Sequence, residues 1–153
     1  MAFKRERDLF EAAFASNYIQ NLINSEMHLN YFVEPKGLFG IPDLLIINAD
    51  PSQVGCRDQL QTFAFEMKLT KWKRALIQAF RYKAFANYSY VLIDMDHVTP
   101  ALINIEQFKR SNIGLMSINQ YDDFLVHFQP RLDSPFSNNL GSVVSEMIFK
   151  TQL

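Results

Sequence analysis

The segment 62–69, Thr62-Phe63-Ala64-Phe65-Glu66-Met67-Lys68-Leu69, constrains the fold more than any other stretch of the chain. Successive side chains on a strand point to opposite faces. Phe63, Phe65, Met67 and Leu69 therefore share one face, and Thr62, Ala64, Glu66 and Lys68 share the other. The first face reads as core. The second ends in a carboxylate and an amine, one pleat apart on the same side. The apolar run Leu44-Leu45-Ile46-Ile47, headed by Pro42-Asp43, is a natural hairpin partner across a longish connection. Proline at the head of a strand is tolerated because its missing donor falls outside the ladder.

The flanking segments alternate between helical and strand periods. Phe10, Phe14, Tyr18 and Leu22 recur every four residues, and Ala15, Ile19 and Ile23 widen the stripe, which predicts one helix over 4–24. Glu11 stands among apolar neighbours there. Burying an unpaired carboxylate is costly, so Glu11 is either an edge residue paired with Arg7 four places back or is held for a reason. A strand is expected over 28–34, then a break at Pro35-Lys36-Gly37 and Gly40, which is either a simple turn or a place where a backbone or a ligand can come close. A strand over 44–48, a loop over 49–59 and the strand 62–69 follow. Thr70 is the expected N-cap of a helix over 71–87. Ala75, Leu76, Ala79, Phe80 and Ala84 form its core face, and Lys71, Arg74, Gln78, Arg81, Tyr82 and Phe85 form a second, mixed stripe. Beyond it come a strand over 88–94, a helix from Thr99-Pro100 to 110 that Asn112 and Gly114 stop, strands over 115–118 and 121–128, an irregular loop over 130–141, and a helix over 142–151 with Val143, Val144, Met147 and Ile148 on its apolar face. The order αβββαβ followed by further elements predicts a single α/β domain over 1–153, with a mixed central sheet flanked by helices.

A chain of 153 residues with a hydrophobic fraction of 48% can bury a real core in one domain. No apolar run approaches the roughly 20 residues of a membrane-spanning helix, and the charged N-terminus lacks the apolar region of a secretory signal. No membrane partner and a cytoplasmic location are therefore expected. A single cysteine, Cys56, excludes an internal disulfide and a cysteine-rich metal site, and its polar loop offers no activating base. His28, His97 and His127 are too scattered for metal-ligand spacing. Asp94, Asp96 and His97 cluster at a strand end, either as a second acidic site or as solvated loop residues. Trp72 and the phenylalanines read as core or helix-packing residues rather than as base-stacking platforms. The net charge of −1 gives no global sign of a polyanionic partner, but the segment from Glu66 through Lys83 holds six basic residues and one acid, Glu66 itself. That local excess suits either phosphate binding or a solvated helix face.

Asp43, Glu66 and Lys68 carry the most specific chemistry. Mg²⁺ and similar hard cations are held by one or two carboxylates, with waters and substrate phosphate completing the shell. Asp43 and Glu66 on adjacent strands could supply those carboxylates, and Lys68 would stand beside them to orient a water or neutralise charge developing on phosphorus. The alternative is a surface ion pair on the open face of a half-buried sheet. In this arrangement the chain resembles the PD-(D/E)xK nuclease superfamily, whose members have the restriction-endonuclease-like fold. Pro42-Asp43 matches the first half-motif and Glu66-Met67-Lys68 the second. The helix that follows resembles the Gln-xxx-Tyr element of exonuclease and resolvase branches, here Gln78 to Tyr82. The likeness covers about residues 5–95, leaving 96–153 as an elaboration.

The resemblance implies a three-layer core and Mg²⁺-dependent (or Mn²⁺-dependent) cleavage of phosphodiester bonds, with DNA the first expectation. Asp43 and Glu66 would bind metal, joined by a first-helix acid that would be Glu11, or as a second choice Glu6. Lys68 would assist the water, and Gln78 and Tyr82 would position the active site or the backbone. Lys71, Arg74 and Arg81, with Lys36 on the glycine-bounded loop, are the expected nucleic-acid contacts. With no second domain for target recognition, end- or structure-directed cleavage or recruitment by a protein partner is expected over sequence-specific restriction, and the terminal helix is either a dimer face or a closure of the core. The competing reading is a nuclease-like fold kept as a nucleic-acid- or protein-binding module without cleavage. A third is a regulatory protein that docks an acidic partner through the basic helix.

Overall fold

The computed structural model describes residues 1–49 and 60–152, without the side chains of 149–152; residues 50–59 of the expected loop, Cys56 included, lie outside the described residues. Six strands form one mixed sheet in sequence order: β1 (His28–Val33), β2 (Leu44–Ala49), β3 (Leu60–Lys68), β4 (Tyr88–Asp94), β5 (Gly114–Ile118) and β6 (Phe124–Phe128). β1, β2 and β3 pair antiparallel, β3, β4 and β5 pair parallel, and β6 returns antiparallel. Parallel neighbours need crossovers. Helix α3 (Trp72–Tyr82) joins β3 to β4, and α4 (Thr99–Ile103) and α5 (Ile105–Ser111) join β4 to β5. Helices α1 (Glu6–Ala15) and α2 (Asn17–Ile23) precede the sheet, and α6 (Asn138–Gln152) follows it.

Both faces of the sheet are covered, and the alternation along the strands divides the core in two. Leu44, Ile46, Phe63, Phe65, Met67, Leu92 and Met116 pack with Leu9, Ala13 and Ile19 of α1 and α2. Leu45, Ile47, Ala64, Val91, Ile93 and Leu115 pack with Trp72, Ala75 and Ala79 of α3, Phe108 of α5 and Val144 of α6. This is why β2 and β4 read as unbroken apolar runs. It also removes the open-face alternative for Glu66, which lies on the α3 side and is 2% exposed. Among the described residues no helix is long and apolar enough to cross a membrane.

Several elements differ from expectation for local reasons. The expected helix over 4–24 breaks at Ser16, whose backbone is extended (φ −63, ψ 152). Its hydroxyl donates to the Ala13 carbonyl at 2.6 Å and accepts from the Ile19 N–H at 3.4 Å, so it caps both helices. The break shifts the helical phase: Leu9 and Ala13 are the buried residues of α1, while Phe10 and Phe14 are only partly buried. Lys71, not Thr70, is the N-cap of α3, with no side-chain capping bond, and the helix stops at Tyr82. Tyr82 and Phe85 are core, whereas Phe80 is 47% exposed. The expected helix to 110 is two short helices meeting at Asn104, and left-handed Asn112 (φ 55) closes the second. Lys83 is not part of a solvated basic patch. Its ammonium is turned inward, donating to the Ser111 carbonyl at 2.8 Å and pairing with Asp133 at 3.0 Å.

Leu44 and Leu45 are adjacent, fully buried and on opposite faces. Leu44→Ala and Leu45→Ala should each cost about 2–5 kcal/mol in urea denaturation. A cost confined to one of them would mean that only one face is packed.

Candidate active site

The site forms where β2 begins and β3 ends. Leu44 pairs with Phe65, so Asp43 falls opposite Glu66, and the Asp43 N–H donates to the Phe65 carbonyl at 3.0 Å. The same pleat sends both carboxyl groups toward α3. Asp43 Oδ2 accepts the Met67 N–H at 2.7 Å, which extends the ladder through a side chain. Two residues after Glu66 on the same face, Lys68 places its ammonium 3.5 Å from Glu66 Oε1. The Lys68 side chain is 18% exposed, so the pair lies inside the protein with its open end at Lys68.

Tyr82, one turn beyond Gln78 on α3, covers the pair. Its hydroxyl donates to Glu66 Oε2 and lies 2.9 Å from the Ile41 carbonyl. Gly40 makes this approach feasible. Its φ of +92 is a conformation that suits glycine, and a Cβ there would lie 2.8 Å from Tyr82 Cε1. The turn before Pro42-Asp43 is thus shaped around the tyrosine ring.

The electrostatics follow from burial. Desolvation raises the Asp43 carboxyl; the Met67 N–H, the hydrogen bond with Glu66 and the Lys68 charge pull it back, and Glu6 pushes it further up. Glu66 is raised to about 7, first by burial and then by the charge of Asp43, against the Tyr82 hydrogen bond and Lys68. Burial also raises Tyr82, and the hydrogen bond and charge of Glu66 add to that, so Tyr82 stays a neutral donor. Two like charges in contact in a poorly solvated place favour sharing one proton. The singly protonated pair carries one negative charge, which the adjacent Lys68 balances.

Each carboxylate has one oxygen committed to holding its own geometry, Asp43 Oδ2 and Glu66 Oε2. The other two, Asp43 Oδ1 and Glu66 Oε1, are hard oxygen donors of the kind Mg²⁺ or Mn²⁺ takes. Gln78 adds a second observation. Its Oε1 is buried and has no hydrogen-bond partner among the described residues. Leaving such an atom unpaired costs about 1–3 kcal/mol. A buried carboxylate pair that is hard to ionise in full fits a cation with oxygen ligands, and Gln78, one turn before Tyr82 on α3, has an amide oxygen free to accept. Among the described residues, no group of three or more His, Cys, Asp or Glu side chains is placed to hold a metal, so a cation here would rely on two carboxylates plus other oxygens.

The remaining expected residues divide. Glu11 is exposed and paired with Arg7 at 3.3 Å, the edge reading of this residue. Two positions from both Leu9 and Ala13, it lies about 200° around the helix from each. Glu6 is three positions before Leu9, and it lines a groove with Lys68, Leu69, Thr70, Lys71 and Arg74. The first-helix acid beside the pair is therefore Glu6. Lys71 and Arg74 are exposed along that groove, and Lys36 is exposed on the loop before Asp43. Arg81 is exposed with its guanidinium over the Phe39 ring, 5.8 Å from the centroid. Asp94 is not part of a second acidic site; fully buried, it accepts the N–H groups of Phe3 at 2.8 Å and Asp96 at 3.1 Å. Sequence reasoning missed the Met67 N–H and the Ile41 carbonyl, and it did not foresee that Gly40 makes room for the Tyr82 ring. Gly40, two places before Pro42-Asp43, carried a readable signal of close approach, whereas the two main-chain groups carried none.

Compared with protein-family models, curated proteins and solved structures, the chain matches none.

The Glu66 carboxyl sets a pH dependence for the metal-free protein. Its folded value of about 7 lies above the unfolded 4.5, so the folded state holds the proton more tightly between them. Stability should be greatest near the lower value and fall as pH rises through about 7. Urea denaturation in EDTA should show this slope, and Glu66→Gln should flatten it. A slope unchanged by Glu66→Gln would mean that the pair does not hold the proton.

Proposed function

We propose that this protein is a metal-dependent nuclease that hydrolyses phosphodiester bonds, with DNA the first substrate to test. The observation that carries the reading is the buried Asp43–Glu66 pair with Lys68 at its open end. Structural ion pairs are seldom built from two touching carboxyl groups, whereas a dication resolves their repulsion. The reading includes a restriction-endonuclease-like core. In its favour are three antiparallel strands after the first helices, a crossover helix, and a parallel fourth strand. The tyrosine of the Gln-xxx-Tyr pair on that helix also reaches the carboxylate of the second half-motif.

A bound Mg²⁺ or Mn²⁺ would supply positive charge to a phosphate oxygen and acidify a water. The chain's own groups do the rest. Asp43 and Glu66 offer oxygen donors whose orientation the Met67 N–H and Tyr82 maintain. Lys68 brings an ammonium to the same edge, where it can orient the water and offset charge as water oxygen bonds to phosphorus and the ester P–O bond breaks. The products are a phosphate monoester and a hydroxyl. Lys71 and Arg74, in the groove beside Lys68, would hold neighbouring phosphates without reading sequence.

The test is a panel of single-stranded, duplex and branched DNA and RNA with Mg²⁺ or Mn²⁺. Cleavage should occur with metal and cease in EDTA. Lys68→Ala and Asp43→Ala should each lower the rate by at least about a hundredfold. No cleavage of any substrate would overturn the reading in favour of a binding module, and cleavage that survives both substitutions would move the site elsewhere.

A further inference from the structure

The loop between β1 and Asp43 carries a feature that metal-assisted hydrolysis does not use. Phe39 is 54% exposed and Ile41 49%, although both sit on a backbone that Gly40 and the Tyr82 hydroxyl hold against the site. Arg81 lies against the Phe39 ring, and the rest of that side chain is open. Next along the exposed side of α3 come Ile77, 59% exposed, and the cations Lys73 and Arg74. No acid lies between Lys71 and Lys83 or between Pro35 and Pro42; the acids that border these segments are Glu34 before the loop, the site carboxyl groups Asp43 and Glu66, and Glu6 in the groove. Scattered exposed apolar residues are ordinary. An exposed aromatic ring paired with a guanidinium, on two acid-free segments that lead to a groove lined by Lys71 and Arg74, is more specific.

That combination is what an unpaired strand requires. Single-strand binding sites join a cationic track for the backbone to aromatic rings on which bases stack, and stacking tolerates sequence because every base has a π-face. Paired bases within a duplex are already stacked on each other and cannot use such a ring. Phe39 is four residues before Asp43, at most about 14 Å along the chain. That is about four steps of a stacked strand at 3.4 Å each. We propose that Phe39, backed by Arg81, is a stacking platform for an unpaired base within a few nucleotides of the scissile phosphate, and that the substrate is a strand with unpaired bases there: a single strand, a flap or a frayed end. This rests on the nuclease reading for its scissile phosphate, but the platform itself can be tested without cleavage.

Fluorescence anisotropy in EDTA, with a labelled single-stranded oligonucleotide and the matching blunt duplex, separates the two claims. Phe39→Ala should weaken single-strand binding about tenfold and change duplex binding less than twofold. Phe39→Trp should restore single-strand binding, and its emission should be quenched by the oligonucleotide beyond any change from buried Trp72. Equal losses for both substrates, no loss at all, or failure of the wild-type protein to bind either nucleic acid would overturn the platform; the last result would assign this surface to a protein partner. If the platform behaves as expected while the wild-type protein cleaves nothing with Mg²⁺, the nuclease reading falls and the platform stands. If cleavage occurs and Phe39→Ala binds and cuts single strands like wild type, the reverse holds.

Discussion

The hydrogen bond from the Met67 N–H to Asp43 Oδ2 is the interaction on which the site depends. It places a side chain where the next rung of the β2–β3 ladder would be, and so fixes Asp43 directly across from Glu66. Once those two carboxyl groups face each other under α3, the rest is constrained. Neither can ionise freely, a hydroxyl donor must come from above, and the counter-charge must come from the same strand face. Tyr82 and Lys68 meet those requirements. The Gly40 turn then follows from the tyrosine, since any Cβ there would collide with its ring.

The fold supports this arrangement by enclosing it. A sheet packed on both faces leaves Glu66 almost no contact with water. The low local polarisability makes full ionisation of the pair expensive, a cost that a cation would offset. The two sheet faces do different jobs. The face under α1 and α2 is mainly apolar and closes the core, with buried Asn48 and Asp94 hydrogen-bonded to the Leu22 carbonyl and the Phe3 N–H. The face under α3 carries the Asp43, Glu66 and Lys68 cluster at one end and the apolar contacts of α5 and α6 further along. Lys83 shows how position overrides composition: one residue past Tyr82, it ties the chain near Asp133 and Ser111 to the end of α3 rather than meeting solvent.

Much of this was legible from alternation alone. The period of two along 62–69 placed Glu66 and Lys68 together, and Pro42-Asp43 marked the head of the partner strand, while the register that sets Asp43 opposite Glu66 is seen only in the structure. Two things were not legible. Helix phase on α1 was misread because Ser16 interrupts the four-residue repeat of phenylalanines and tyrosine, so the acid near the pair is Glu6 rather than Glu11. Main-chain groups such as the Met67 N–H and the Ile41 carbonyl have no sequence signature, since every residue carries them. The phenylalanines, read together as packing residues, separate once burial is known: Phe65 is fully buried, whereas Phe39 stands in solvent beside Arg81.

The central claim is that Asp43 and Glu66 exist to hold a divalent cation. Crystals grown with Mn²⁺ above pH 7, with data collected to record the anomalous signal, test it most directly. The account predicts an anomalous peak within about 2.5 Å of oxygens from both carboxylates, with the two groups no longer hydrogen-bonded to each other. Asp43 and Glu66 still sharing a proton at saturating Mn²⁺, with no peak between them, would contradict it.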